Sequence, residues 1–241
     1  MNLIVEIGNT ALKAAWTENS ILGKTFRYQG EHPVDFVCGI ACKEKPDWLV
    51  VSSVYELTVS DKERLDTICR HLEIIGLSNV SFYKKYDLPQ YLSPDRAASI
   101  IAVRRLFCGK SCTLFDFGNT LTADFIDGNG KYEGGNISLG CNTRFKALNR
   151  YSRNLPLLGI LGEADEIGKS LQSSIQSGII SGIMFEIQGY LEKKPENIVV
   201  FTGGDANYFV KKMKNSIFVV CNLVMIGLAI ITDEYVRKEN N

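Results

Sequence analysis

The chain has 241 residues, 45% of them apolar and 22% charged, enough for one large globular domain or two small ones with a sizeable core. Lysine plus arginine and aspartate plus glutamate both number 27, with no clustered basic stripe, which argues against nucleic acid or an anionic membrane as partner. The seven cysteines are an odd number in a chain that enters a strand at once without the features of a signal peptide, so reduced thiols in a cytoplasmic protein are expected. Cys38/Cys42 and Cys108/Cys112 lack a strong zinc spacing and read as small buried apolar residues. The longest apolar stretch, Ile217 to Ile231, is broken by Asn222 and too short to span a bilayer.

Leu3-Ile4-Val5 reads as a buried strand, and Glu6 sets a carboxylate at its carboxyl end. Gly8-Asn9-Thr10 follows, a tight turn of residues that tolerate positive φ. Such a turn leaves backbone N–H groups to face an anion, and Thr10 and Lys13 add a hydroxyl and a cation useful near phosphate. Ala14 to Trp16 continues a second strand, Thr17 to Ser20 turns, and Thr25 to Tyr28 suggests a third strand. Val34 to Cys42 has helical spacing. Trp48 to Val51 is a strand closed by Ser52-Ser53. Ser60 to Leu72 reads as a surface helix with a capping box from Ser60 to Glu63. Val80 to Tyr83 reads as a short strand. Tyr86 to Pro94, with two prolines, must be loop, and its Tyr91 and Leu92 want cover. Asp95 to Phe107 is helical, with Asp95 near the N-terminus, where a carboxylate is favoured. A plain helix cap at Asp95 with an exposed Arg96 is the competing reading.

The opening then returns: Val5-Glu-Ile-Gly-Asn-Thr10 is echoed by Phe115-Asp-Phe-Gly-Asn-Thr120. Gly118 follows Gly8 by 110 residues, close to half of the 241. Leu121 to Ile126 completes a matching hairpin, and Asp127 to Gly130 is a turn. Gly134 to Gly140 is glycine-rich and leads to a helix over Asn142 to Arg150. A long helix is expected over Ile167 to Tyr190. Ile198 to Thr202 is a strand ending in Gly203-Gly204-Asp205, a second phosphate-friendly turn. Asn222 to Thr232 reads as a buried helix with a frayed polar tail from Glu234. The pattern predicts an α/β chain of two duplicated halves, 1–109 and 110–241, whose turns face each other across a nucleotide cleft. Cys108 to Ser111 is not a P-loop, because Arg104 stands where the first glycine belongs. Gly128-Asn-Gly130 lacks the third glycine of a dinucleotide fingerprint. The two histidines, neither near a nucleophile elbow, speak against a serine hydrolase.

Together these residues resemble the type III pantothenate kinases, of the acetate/sugar kinase–Hsp70–actin superfamily. The resemblance is carried in order by Glu6 to Thr10, by Ser52-Ser53-Val54, by Tyr86 and Pro89 leading to Ser93-Pro94-Asp95-Arg96, and by Asp116 to Thr120. It continues through Gly134 to Gly140, Thr202 to Asp205, and Gly227-Leu228. It implies two actin-like (ribonuclease H-like) halves and ATP-dependent phosphorylation of pantothenate, the first step toward coenzyme A. It further implies that Glu6, Ile7, Gly8, Asn9, Thr10, Ala11, Leu12, Lys13 and Asn119 hold ATP. Glu6 would orient Mg²⁺, and Asp116 a monovalent cation, K⁺ or NH₄⁺. Asp95 would be the general base, and Tyr86, Ser93, Pro94, Asp95, Arg96 and Leu171 would hold pantothenate, Arg96 through its carboxylate. A homodimer is also implied. The chain departs from the family's pattern with Glu6 for Asp, Ser93 for Gly, Asn119 for a nucleotide-contacting Thr, Leu139 for Pro and Leu171 for Thr. Two rivals stay open: a kinase of the same superfamily acting on a sugar or other alcohol, and a non-catalytic relative.

Overall fold

The structure, a computed structural model, describes residues 1–76, 78–160, 162 and 165–239. The chain forms two compact units, Met1–Leu106 together with Asn222–Asn241, and Phe107–Cys221. The first is a five-stranded sheet ordered β3-β2-β1-β4-β5, from β1 (Asn2–Ile7), β2 (Leu12–Glu18), β3 (Ile21–Tyr28), β4 (Trp48–Ser53) and β5 (His71–Ile75). The first three strands run antiparallel in sequence, and β4 and β5 join parallel to β1.

Strand alternation sorts its side chains by face. Leu3, Val5, Ile7, Leu49 and Val51 meet α1 (Pro33–Ala41) and α2 (Val59–Thr67) in one core. Ile4, Glu6, Val50 and Ser52 point to the other face, against which α4 (Pro94–Leu106) and α8 (Leu223–Glu239) pack. These two helices approach closely. A Cβ at Gly227 of α8 would lie 2.0 Å from the Ala98 carbonyl oxygen of α4, so only glycine fits the crossing.

The second unit repeats the topology. Its sheet is ordered β10-β9-β6-β7-β8, with β6 (Cys112–Phe117), β7 (Thr120–Ile126), β8 (Tyr132–Leu139), β9 (Ile198–Gly203) and β10 (Ile217–Val219). Again the first three are antiparallel and the last two parallel. Phe115, Phe117, Phe201 and Phe209 pack with α5 (Cys141–Tyr151), α6 (Leu171–Lys193) and α7 (Ala206–Val210).

Several elements differ from the sequence expectation. The helix expected over Ser60 to Leu72 stops at Thr67, and its capping box joins Thr58 to Asp61. His71–Ile75 is strand because it pairs with β4, a tertiary cause that local pattern does not carry. Val80–Lys85 is α3, a helix and not a strand, because the Asn79 side chain caps it and Phe82 and Tyr83 are buried together. Gly134 to Gly140 is mostly the strand β8. The long helix begins at Leu171, after the Ser170 cap. The tail is not frayed at Glu234: α8 continues to Glu239, held by Tyr86–Glu234 and Trp48–Glu239 hydrogen bonds. It packs with the first unit, whereas the sequence reading places it in 110–241. Cys69, Cys112 and Cys141 are buried as expected of small apolar residues, but Cys42, Cys108 and Cys221 are exposed. No helix of the described residues is long and apolar enough to cross a membrane.

Candidate active site

In the first unit the hairpin register decides what meets Glu6. Its antiparallel partner is Lys13 and its parallel partner is Ser52. Lys13 Nζ stands 3.3 Å from Glu6 Oε2. Burial pushes the Glu6 carboxyl above its ordinary range; Lys13 opposes this, and the negative charge of Asp95 adds to it. Strand β1 and the head of α4 thus bring two carboxylates and one ammonium together.

Asp95 is the second residue of α4, after Pro94, while the Ser93 carbonyl accepts the Ala97 N–H. It lies inside the first turn and not at the cap. Its Oδ1 is buried with no hydrogen-bond partner, and Glu6 Oε2 likewise makes no hydrogen bond of good geometry. Arg96 is buried at 6% exposure, which removes the reading of an exposed arginine beside a plain cap.

A buried carboxylate oxygen without a partner on Asp95, beside the Glu6 carboxylate, fits a hard divalent cation. Among the described residues no three or more His, Cys, Asp or Glu are gathered for a metal. A cation here would therefore keep much of its shell as water and phosphate oxygen, as Mg²⁺ does.

The turn Gly8–Ala11 closes with Gly8 N–H donating to the Ala11 carbonyl at 3.1 Å. Neither Gly8 nor Asn9 has positive φ, so the turn is tight without the left-handed conformation expected of it. Asn9 and Thr10 are exposed at its tip. Ile7 and Leu12 are each 2% exposed in the core, so only their backbone is left to meet a nucleotide.

Tyr86 is committed within its own unit. Its hydroxyl donates to Glu234 at 2.8 Å and accepts from Lys85 at 2.8 Å, and its carbonyl accepts from Arg104. Burial, then the Glu234 bond, push the phenol well above its usual range. Leu92 is fully buried, and its carbonyl takes the Tyr83 hydroxyl, so of the loop's two apolar residues only Tyr91 is exposed.

In the second unit three motifs converge on the repeated turn. Gly118 N–H donates to the Thr120 carbonyl at 3.0 Å, closing a loop one residue shorter than the first. Asn119 is exposed, and its carbonyl accepts from Gly140 N–H at 2.9 Å and Thr143 Oγ1 at 2.7 Å. A Cβ at Gly140 would fall 2.0 Å from the Gly118 oxygen, which is why the glycine-rich stretch must end in glycine. Gly203, at φ +92°, comes so close to Asp116 that a Cβ would lie 2.5 Å from its Oδ1. Burial raises the carboxyl of Asp205 nearby. Leu171 opens α6 in this unit and is 56% exposed.

Residues 2–193 match the family model of the type III pantothenate kinases. A type III pantothenate kinase of Phocaeicola vulgatus is 36% identical over 235 residues, covering 95% of this chain and 96% of its own. One of Cytophaga hutchinsonii is 35% identical over 233 residues, covering 95% and 97%. Among solved structures, the activator of the 2-hydroxyisocaproyl-CoA dehydratase from Clostridium difficile with bound ADPNP matches at a TM-score of 0.59 and 12% identity, covering 99% of this chain and 96% of its own. MreB5 of Spiroplasma citri bound to ADP matches at 0.55 and 12%, covering 100% and 98%. At such identity the likeness speaks for the fold, a duplicated actin-like one, which the repeated sheet order also displays.

Proposed function

The chain belongs to the type III pantothenate kinases, and from that premise we propose how its residues move the γ-phosphoryl group of ATP to the primary hydroxyl of pantothenate, the first step toward coenzyme A. The observation that carries the assignment of roles is the buried, unpartnered Oδ1 of Asp95 in the first turn of α4. A carboxylate with a vacant acceptor can take a hydroxyl proton within hydrogen-bond reach. As the proton passes to Asp95, the pantothenate oxygen bonds to the γ-phosphorus. The bond from that phosphorus to the β–γ bridging oxygen breaks, and ADP leaves with its electron pair. Such transfer is mostly positioning and charge neutralisation.

The backbone of Gly8 to Lys13 takes phosphate oxygens, with the Thr10 hydroxyl beside them. Glu6 holds Mg²⁺, which when bound neutralises charge on the transferring group. Arg96 pairs with the pantothenate carboxylate, and Ser93 and Pro94 shape the start of the same helix. Tyr86 supports that helix through its carbonyl bond to Arg104. In the second unit Asn119 serves the nucleotide, Asp116 a monovalent cation, K⁺ or NH₄⁺, and Leu171 the pantothenate. The working form is a cytoplasmic homodimer. Seven unpaired cysteines support a reducing compartment, and Tyr91, 66% exposed, supports a covered face.

The test is coupled ADP release over a panel of alcohols including pantothenate, with and without K⁺. Pantothenate should be preferred and K⁺ should accelerate it. Turnover of another alcohol in its place would sink the substrate assignment. Light scattering at micromolar concentration should give the mass of two chains; a monomer mass would remove the dimer.

A further inference from the structure

Two hydroxyls beside the carboxylates are buried without a structural task. Ser52 is the ladder partner of Glu6 and shares its face of the sheet, the face on which α4 packs. Ser99 follows Asp95 by four residues and shares its face of the helix. Both are 1% exposed, and neither Oγ has a hydrogen-bond partner. A helix serine ordinarily satisfies itself by donating to the carbonyl four residues back; Ser99 does not. A buried hydroxyl left unpaired costs stability that alanine would avoid. Three orphaned oxygens, on Ser52, Ser99 and Asp95, therefore stand on two facing surfaces with Glu6 Oε2, which has only the Lys13 ammonium; the two hydroxyls can donate and the two carboxylates only accept.

We propose that Ser52 and Ser99 are positioning residues for the phosphoryl transfer, Ser99 donating to Asp95 and Ser52 to Glu6 as the acceptor alcohol takes its place. Hydrogen bonds of this kind commonly tighten only in the substrate complex. Each fixes one carboxylate rotamer, so that Asp95 turns its free oxygen to the incoming hydroxyl. The proposal rests on the kinase reading above and adds to it two residues that touch neither substrate nor nucleotide.

The experiment compares Ser52→Ala, Ser99→Ala, Ser99→Thr and Ser99→Val with the wild type, in steady-state kinetics and thermal melting. The alanine variants should melt at the wild-type temperature or above, because an unpaired hydroxyl has gone. Their KM for the alcohol should stay within about twofold while kcat falls about 10- to 100-fold, the effect of one hydrogen bond to a charged group. Ser99→Thr, which keeps the hydroxyl, should exceed Ser99→Val, which has the same shape without it; this pair also decides the matter if an alanine variant fails to fold. Unchanged kcat, equal rates for the Thr and Val variants, or a raised KM at constant kcat would overturn the proposal. A wild type that turns over a different alcohol removes only the pantothenate reading, and the serines are scored on that alcohol. A wild type inactive on every acceptor overturns both.

Discussion

Lys13 stands directly across the β1–β2 hairpin from Glu6, its ammonium 3.3 Å from Oε2. The pair is intermediate in depth, with Lys13 side chain 40% and Glu6 13% exposed. Exposed pairs contribute little and buried ones leave a costly charge behind when broken. Lys13→Met should therefore destabilise the ligand-free protein by roughly 1–3 kcal/mol. With the ammonium gone, a cation at Glu6 takes over its charge, so Mg²⁺ should raise the melting temperature of the variant more than that of the wild type. Equal shifts would mean that the metal does not sit at Glu6.

Asp95→Asn removes the proposed base and, with it, the negative charge that faces Glu6. Turnover should fall about 10²–10⁴-fold. The melting temperature should hold or rise, because a repulsion between two carboxylates has been relieved. Near wild-type turnover would take Asp95 out of the mechanism.

Gly227→Ala sets two effects of opposite sign against each other. In an open helix the change would stabilise by about 1 kcal/mol. Here the new methyl meets the Ala98 oxygen at 2.0 Å, and backbone cannot swing aside as a side-chain tip can. Overpacking of this kind costs about 1–3 kcal/mol or more, so the variant should melt lower. Since α4 carries Asp95, kcat should fall as well. A stabilised, fully active variant would show that α4 and α8 separate easily.

The cysteines separate by pH. Burial pushes the thiols of Cys69 and Cys112 up to about 11 and that of Cys141 to about 12. A raised thiol pKa keeps the unreactive protonated form, so at pH 8 about one thiol in a thousand or fewer is thiolate at these sites. Iodoacetamide on the folded protein should label Cys42, Cys108 and Cys221, which are exposed. Raising the pH toward 9 should still leave the buried three unlabelled. Mass-spectrometric mapping decides it; labelling of Cys141 in folded protein would contradict the core described around it.

How far the chain could be read in advance follows from which forces are local. The two strand–turn–strand repeats at Glu6 and Asp116 are legible because a β-branched or aromatic run ends in Gly-Asn, and the matching sheet orders follow from the duplication. Asp95 is legible because Pro94 fixes where its helix starts. The strand at His71–Ile75 is not, because only pairing with β4 makes it a strand. Nor is α3, where one asparagine cap outweighs the β-propensity of Val80, Phe82 and Tyr83. The Glu6–Lys13 pair is written in their symmetric placement about the turn, once the hairpin is accepted. Ser99 is written only as a spacing of four from Asp95; its burial and missing partner come from packing.

Glu6 is the departure nearest the chemistry. Glutamate is one methylene longer than aspartate, so its carboxylate reaches about an ångström further from the backbone. An octahedral Mg²⁺ shell tolerates little displacement. The backbone at position 6 is pinned on both sides, by Lys13 across one ladder and Ser52 across the other, so the strand cannot retreat to absorb the extra length. A metal held here would have to shift, or a water between it and the carboxylate would have to leave. The wild type should therefore bind Mg²⁺ weakly and work better with Mn²⁺, whose coordination is less demanding. Glu6→Asp should lower the metal concentration needed for half-maximal rate, although its shorter side chain draws away from Lys13. Glu6→Ala should be inactive at ordinary metal concentrations. Metal titration of the three proteins at saturating ATP measures all of this. If Glu6→Ala keeps full activity, Glu6 is a strand-end carboxylate neutralised by Lys13, and the cation is held elsewhere.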